Sequence, residues 1–139
     1  MKRIILLAFL CTTTLVMAQR INHVQEAIAN YDYEAALTLI AKEKPTIPLL
    51  LQKGKAQRGL GMNTEALSTY QEIIANDTAN TRAYIEAAEC CRSLAKYQQA
   101  LKYYEQALDL NPENKYVRIQ YIGLLLSLQK FQDALGEVV

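Results

Sequence analysis

The sequence predicts an all-α protein built from about three and a half antiparallel helix pairs, and three observations support that prediction. Apolar residues recur at spacings of three and four along most of the chain, which indicates amphipathic helices. Only a few residues separate successive helical segments, so neighbouring helices are expected to run antiparallel. The segments also repeat, because Ala66, Ala100 and Ala134 are evenly spaced along the chain. A fixed period of about 34 residues indicates a solenoid of stacked helix pairs.

Residues 1–18 have the layout of a secretory signal peptide. Lys2 and Arg3 form a basic start, residues 4–17 are mostly apolar, and Ala18 offers a small residue at the cleavage position. The apolar run is short for a membrane span, which needs about 20 residues, and an uncleaved anchor is therefore the alternative. We expect cleavage after Ala18 and an exported protein, periplasmic or associated with the outer envelope.

The first helix pair is expected to be the least regular one. Its helices are predicted at Ile21–Asn30 and Tyr33–Lys42. Asp32 is a suitable N-cap for the second of them. The interval from Ala36 to Ala66 is shorter than the later, regular intervals between matching alanines. We expect the missing residues in Glu43–Pro48, where two prolines interrupt helical structure.

The later helices follow in regular alternation. They are predicted at Pro48 to Leu60, Thr64 to Asn76, Arg82–Leu94, Tyr97–Leu110, Lys115–Leu128, and from Phe131 onward. Pro48 suits the first turn of its helix, Asn63 or Thr64 is expected to cap the next, and Pro112 disfavours helix at Asn111. The repeat units are roughly 20–46, 47–80, 81–114 and an incomplete 115–139.

Small residues recur where the helices of a pair are expected to cross. They are Ala36, Ala66, Ala100 and Ala134. A small side chain at a crossing lets two helix axes approach to about 8–10 Å. Tyr70, Tyr104 and Val138, each four residues further on, are expected to fill the space beside the crossing. Four alanines at matching positions are a more specific signal than any one of them.

Residues 81–114 resemble a tetratricopeptide repeat. The positions that match the signature of that family are Tyr84, Ala88, Ala100, Tyr104, Ala107 and Pro112. The chain departs from the signature at Thr78, in place of the final proline of the second unit, and at Arg118, in place of a large apolar residue. The resemblance implies a right-handed solenoid in which the first helix of each pair lines a groove for peptides or partner helices.

Matching offsets in those first helices define the residues that would face the groove. They are Leu51, Lys55 and Arg58, then Arg82, Ile85, Glu89 and Arg92, then Tyr116, Ile119, Gly123 and Leu126. Steps of three and four place each set on one helix stripe. A merely solvated face, with Glu89 and Arg92 paired, is the alternative. It explains Lys55 and Arg58 well, but it explains exposed apolar Ile85, Ile119 and Leu126 less well.

The same resemblance argues against one known mode of binding. Members of the family that bind chaperone tails hold a C-terminal carboxylate with a lysine and asparagine clamp. In this chain Leu51 with Lys55, and Ile85 with Glu89, occupy the corresponding places. The clamp is absent, so capture of a chaperone tail is not expected.

Composition and side-chain patterns predict neither a catalytic centre nor a cofactor. The 15 Lys and Arg residues nearly balance 14 Asp and Glu residues, whereas a nucleic-acid footprint would show a strong basic excess. His23 is the one histidine, and no Cys/His pair has metal-ligand spacing. Adjacent Cys90 and Cys91 diverge by about 100° on a helix and cannot bond to each other, so we expect them to pack as small apolar residues. A disulfide with another chain is the alternative.

The sequence therefore predicts a non-catalytic interaction module or scaffold of the bacterial cell envelope that binds a peptide or partner helix. The alternative is an N-terminal regulatory domain of a larger enzyme or sensor. A sugar- or peptidoglycan-binding module would need an aromatic cluster on one face, which is missing. The helix from Phe131 has at most nine residues before Val139, and the preceding leucine-rich helix would stay partly uncovered. Self-association through this end, or continuation into further repeats, is expected.

Overall fold

A computed structural model describes residues 18–129 and Gly136. Residues 18–129 form seven helices and no strand. The helices are α1 (residues 18–29), α2 (Tyr33–Ile40), α3 (Ile47–Gly59), α4 (Asn63–Asn76), α5 (Thr81–Ser93), α6 (Tyr97–Leu110) and α7 (Lys115–Ser127). The all-α prediction is confirmed for this part of the chain. The predicted signal peptide before Ala18, and the predicted helix from Phe131 apart from Gly136, lie outside the described residues.

The helices belong to two compact units. Within residues 18–129, unit 1 comprises 18–60 and unit 2 comprises 61–129. The division lies within the predicted repeat 47–80, between α3 and α4.

Unit 1 has an apolar core to which α1, α2 and α3 all contribute. Its buried members are Val24, Ala27, Ile28, Ala36, Ile40, Leu49 and Ala56. Asp32 caps α2 as predicted, because its carboxylate accepts a hydrogen bond from the Ala35 amide at 3.1 Å. The fit between α2 and α3 is close at Gly59, where an added Cβ would overlap the ring of Tyr33.

Helix α2 is the short element of the chain. It has 8 residues, whereas α4 and α6 have 14 each. It ends at Ile40 rather than at the predicted Lys42, and further along Pro45 disfavours helix at Lys44. The missing residues are thus removed from the end of α2 itself, because the connection that follows it, residues 41–46, is longer than the equivalent connections 77–80 and 111–114. We expected the shortfall in Glu43–Pro48, and that expectation is corrected.

In unit 2, α5 packs against both α4 and α6, and α6 also packs against α7. The predicted crossing alanines Ala66 and Ala100 are completely buried, and Tyr70 and Tyr104 are among the largest fully buried side chains. These burials confirm the predicted core register. One capping prediction is wrong: Asn63 is already helical, and Met62 occupies the cap position without a side-chain hydrogen bond.

The repeat period is also visible in the backbone. Tyr31, Gly61, Ala95 and Gln129 have φ values of 60°, 75°, 57° and 60°, and each lies two residues after the end of α1, α3, α5 or α7. After α5, the Lys96 amide donates to the Cys91 carbonyl at 2.8 Å and the Ala95 amide to the Arg92 carbonyl at 3.0 Å. This is a Schellman motif, which satisfies the last carbonyls of a helix and reverses the chain.

Within residues 18–129, no helix combines the length and the apolar character needed to cross a membrane.

Candidate functional site

The predicted groove residues of α3 lie in unit 1. Lys55 is exposed, whereas Leu51 and Arg58 are half-buried. These three residues belong to a different compact unit from the other predicted groove residues. The candidate site therefore lies in unit 2, where α5, α6 and α7 contribute the side chains.

The stripe on α5 is less open than the sequence suggested. Arg82 is exposed, but Ile85 is half-buried. We expected Ile85 to be an exposed apolar residue, and that expectation is corrected: α5 packs against two helices, and only a narrow part of its surface is left uncovered. The side chains of Glu89 and Arg92 are 16% and 39% exposed.

A polar cluster links α5, α6 and α7 through five side chains: Glu89, Arg92, Tyr104, Tyr116 and Gln120. Arg92 Nη1 lies 3.4 Å from Glu89 Oε2 and donates to Gln120 Oε1 at 2.7 Å. The Tyr104 hydroxyl donates to Glu89 Oε1 at 2.6 Å, and the Tyr116 hydroxyl is 3.5 Å from the same oxygen. The cluster therefore bridges the two stripes that the sequence predicted to face one groove.

The electrostatics of the cluster hold Tyr104, Tyr116 and Arg92 in their usual protonation states at neutral pH. Burial raises the pKa of the Tyr104 hydroxyl, and the hydrogen bond to Glu89 raises it further. Burial also raises the pKa of Tyr116, again with a contribution from Glu89. The hydrogen bond to Tyr104 raises the pKa of the Arg92 guanidinium. Both phenols thus remain hydrogen-bond donors and Arg92 remains a cation.

Sequence reasoning found three members of this cluster and missed two. It included Glu89, Arg92 and Tyr116, but it assigned Tyr104 to the core alone and did not include Gln120. Tyr104 has both roles, since its ring is fully buried while its hydroxyl reaches Glu89. A signal was available for it, because a buried tyrosine usually finds a hydrogen-bond partner. The alternative prediction for this helix face, an ion pair between Glu89 and Arg92, is correct for these two residues.

The α7 face, which we define as Tyr116, Ile119, Gly123 and Leu126, is open and apolar. Tyr116, Ile119 and Leu126 are 54%, 66% and 47% exposed. Gly123 is also exposed, and a Cβ added there would meet nothing within 4 Å. The large side chains follow one helix stripe, as predicted, and the Tyr116 hydroxyl places the polar cluster at the edge of that stripe.

The other candidate chemical groups do not form a reactive site. Cys90 and Cys91 are buried thiols, and burial raises the pKa of Cys91, which disfavours the reactive thiolate. His23 is exposed, with Nδ1 3.8 Å from Glu26 Oε2. Over residues 18–129, no group of three or more His, Cys, Asp or Glu residues has a geometry that could hold a metal ion.

Comparisons with known proteins agree with this architecture. Two family models described as tetratricopeptide repeat match residues 51–114 and 92–138. Among the curated proteins, no sequence matches the chain significantly.

Solved structures with the same fold include MamA, residues 41 to the end, from Desulfovibrio magneticus RS-1. It has a TM-score of 0.78 and 16% identity over 86% of this chain and 70% of that one. The first TPR of Spaghetti (RPAP3), bound to the HSP90 peptide SRMEEVD, has a TM-score of 0.75 and 21% identity over 81% of this chain and 92% of that one.

PcrH in complex with the chaperone binding region of PopB has a TM-score of 0.69 and 18% identity, over 79% of this chain and 94% of that one. These identities show a shared fold and nothing more specific. The two family models together span residues 51–138, which is more than half of the chain. The chain therefore belongs to the tetratricopeptide repeat family and has an all-α helical repeat fold.

Proposed function

We propose that this protein is a non-catalytic interaction module that binds a peptide or a partner helix against the α7 face. The observation that supports this most directly is the row of exposed large apolar side chains at Tyr116, Ile119 and Leu126. Exposed apolar groups aligned on one face are typical of interaction surfaces. Structural relatives titled as complexes with an HSP90 peptide and with part of PopB support the same class of activity.

The chemistry of the surface describes the partner that would fit it. Apolar anchors of the partner would pack on Ile119 and Leu126, and a few well-packed anchors carry most of the binding energy of an interface. Exposed Gly123 leaves room for a partner backbone or side chain to approach α7 closely. On α5, Arg82 is an exposed cation, whereas the charge of Glu89 is already engaged by Arg92 and Tyr104. A partner segment with an apolar stripe and acidic flanks therefore fits best.

Binding to this face is testable with a matched pair of substitutions. A pull-down from envelope extract, with residues 19–139 as bait, supplies a partner whose affinity is then measured by calorimetry. Ile119→Glu places a charge in the apolar row and should weaken binding at least tenfold. Leu110→Glu is the control, since Leu110 is 42% exposed at the end of α6 and outside the face. Equal affinities for the two variants would contradict the proposal.

Arg82→Glu provides a second test of the same surface. Reversal of a peripheral charge should slow association with an acidic partner and reduce the dependence of the rate on salt. Arg92 is not suitable for this purpose, because its bonds to Glu89, Tyr104 and Gln120 support unit 2 itself. An unchanged association rate would argue against an acidic partner while leaving the apolar contact untouched.

We further propose that the protein acts as a scaffold or assembly adaptor in the bacterial cell envelope, periplasmic or associated with the outer envelope. The support is the basic start, the apolar run and Ala18 at the head of the chain. N-terminal sequencing of the protein recovered from the envelope fraction should find Gln19 as the first residue. A mature form that still begins at Met1 would contradict processing at this position.

A further inference from the structure

Unit 1 contains a cavity of about 390 Å³ that shares no residue with the α7 face. It lies where the end of α2, the connection that follows and the first half of α3 meet. Its apolar wall is formed by Leu37, Ile40, Ala41, Pro45, Leu49 and Leu50. Ile40, Leu49 and Leu50 are nearly completely buried, so the cavity extends down to the core of the unit.

The cavity has a structural cause in the short second helix. Helix α2 ends at Ile40, whereas its counterparts α4 and α6 are six residues longer. Residues 41–46 run from α2 to α3 without helical structure. The apolar wall on α3 consequently lacks the helical turns that would otherwise cover it.

The charged groups of the wall favour an anion. Lys44 and Lys53 both line the cavity. The one acidic residue of the wall, Glu43, accepts a hydrogen bond from the Arg20 guanidinium at 2.8 Å, and its side chain is only 11% exposed. With Glu43 neutralised by Arg20, the two lysines leave a positive balance around an apolar chamber. Buried Gln57 adds a polar group to the same wall.

We propose that this cavity binds a small amphipathic carboxylate, an aliphatic chain with a carboxylate head. Ligand cavities in proteins typically measure about 300–1,000 Å³ and combine a mostly apolar lining with a few polar groups, as this one does. The aliphatic chain packs against Leu37, Leu49 and Leu50, which removes apolar surface from water. The carboxylate accepts charge-assisted hydrogen bonds from Lys44 and Lys53, and these are stronger than bonds between neutral groups.

A tryptophan placed at the edge of the cavity reports binding directly. The chain has no Trp, so Ala41→Trp introduces a single indole at an exposed position of the wall. Titration of the full chain with decanoate, below its micelle concentration, should shift the emission of this indole to saturation. Acetate lacks the chain, decyltrimethylammonium reverses the head charge, and both should produce no saturable shift.

Two further variants separate the proposed site from a general attraction to basic surface. In the Ala41→Trp protein, Lys53→Glu should raise the dissociation constant for decanoate at least tenfold. Lys55→Glu changes an exposed lysine on the same helix outside the cavity wall, and it should leave the constant within twofold. Circular dichroism melts confirm that both variants fold.

Several results would overturn the proposal. One is the absence of decanoate binding both by indole emission and by calorimetry on the chain without the reporter. Another is equal binding of decyltrimethylammonium, which would show that the two lysines do not select for a negatively charged head group. Equal weakening by Lys53→Glu and Lys55→Glu would place the ligand outside the cavity.

Discussion

Unit 1 and unit 2 contain the same kind of helix pair, and they differ in how the second helix of the pair ends. In α4 and α6, an alanine at the crossing is followed four residues later by a fully buried tyrosine. In α2, Ala36 is followed at that distance by Ile40, the last residue of the helix. In unit 1 a cavity lies beside Ile40, whereas in unit 2 Tyr70 and Tyr104 are fully buried at the equivalent position. The comparison indicates that the tyrosine and the turn after it complete the repeat.

The two units also differ in how they use polar groups. In unit 2, Glu89 and Arg92 join a cluster that connects three helices through partly buried hydrogen bonds. In unit 1, the Arg20–Glu43 pair has one partner 56% exposed. Hydrogen bonds withheld from water contribute more than exposed ion pairs. The polar interactions of unit 2 should therefore matter more for stability.

The largest effect is expected where unit 2 is most tightly packed. Ala100→Leu adds bulk to a completely buried position and should lower the free energy of unfolding by about 1–3 kcal/mol or more through overpacking. Ala95→Leu, at an exposed turn position, is the control and should change it little. Urea denaturation of both variants measures the difference. If both were equally harmless, the crossing assigned to Ala100 would be wrong.

Removal of one hydroxyl should weaken the polar cluster without changing the packing. Tyr104→Phe deprives Glu89 of its 2.6 Å donor and should lower the free energy of unfolding by about 1–2 kcal/mol, because a partly buried acceptor loses its partner. The neighbouring Tyr103→Phe removes a hydroxyl from an exposed hydrogen bond to Gln71. Urea denaturation should show that Tyr103→Phe lowers the free energy of unfolding by less than about 0.5 kcal/mol.

The same hydroxyl predicts a dependence on alkaline pH. Since burial raises the pKa of Tyr104, the unfolded chain loses this proton first as the pH rises through about 10. The stabilising contribution of the Tyr104 hydroxyl to the folded state is therefore fully present below about pH 10 and is lost progressively as the pH rises above it. Stability measured between pH 8 and pH 11 should fall less steeply for Tyr104→Phe than for the unmodified chain. Parallel curves would show that Tyr104 does not cause the decline.

The equivalent turns at Gly61 and Ala95 both favour glycine. Replacing alanine by glycine at one should stabilise the fold, and replacing glycine by alanine at the other should destabilise it. Ala95 has a φ of 57° and Gly61 a φ of 75°, in the left-handed region where a Cβ costs about 1–2 kcal/mol. Part of that cost is offset by the greater freedom of glycine in the unfolded chain. Ala95→Gly should therefore raise the melting temperature, and Gly61→Ala should lower it. A change of the same sign in both would contradict the shared turn geometry.

The smallest effect is expected at the ion pair of unit 1. Arg20→Ala removes a 2.8 Å contact whose cationic partner is largely exposed, and such pairs contribute about 0.2–1 kcal/mol. The loss should shrink further at high salt, which screens exposed charges. Urea denaturation at low and high salt measures it. A loss as large as that of Tyr104→Phe would remove the proposed distinction between the two units.

Much of the fold could be predicted from the sequence because its signals are local. The spacing of apolar residues marks which side of each helix is buried, and the recurrence of Ala66 and Ala100 at the repeat period predicts equivalent packing in successive pairs. Asp32 was identifiable as a cap from its residue type and position. The deficit of residues between Ala36 and Ala66 indicated that the first pair would be irregular, but the deficit lies in the shortened α2 and not in Glu43–Pro48.

The candidate site depended more on tertiary structure. The apolar α7 face was predictable, since Tyr116, Ile119 and Leu126 share a stripe of a single helix. The burial of Ile85, the bond from Tyr104 to Glu89 and the cavity beside Ile40 were not. Helical periodicity determines where a side chain points from its own axis. Which groups from other helices lie within hydrogen-bond distance of it depends on how those helices pack, and the packing is decided only when the chain is folded.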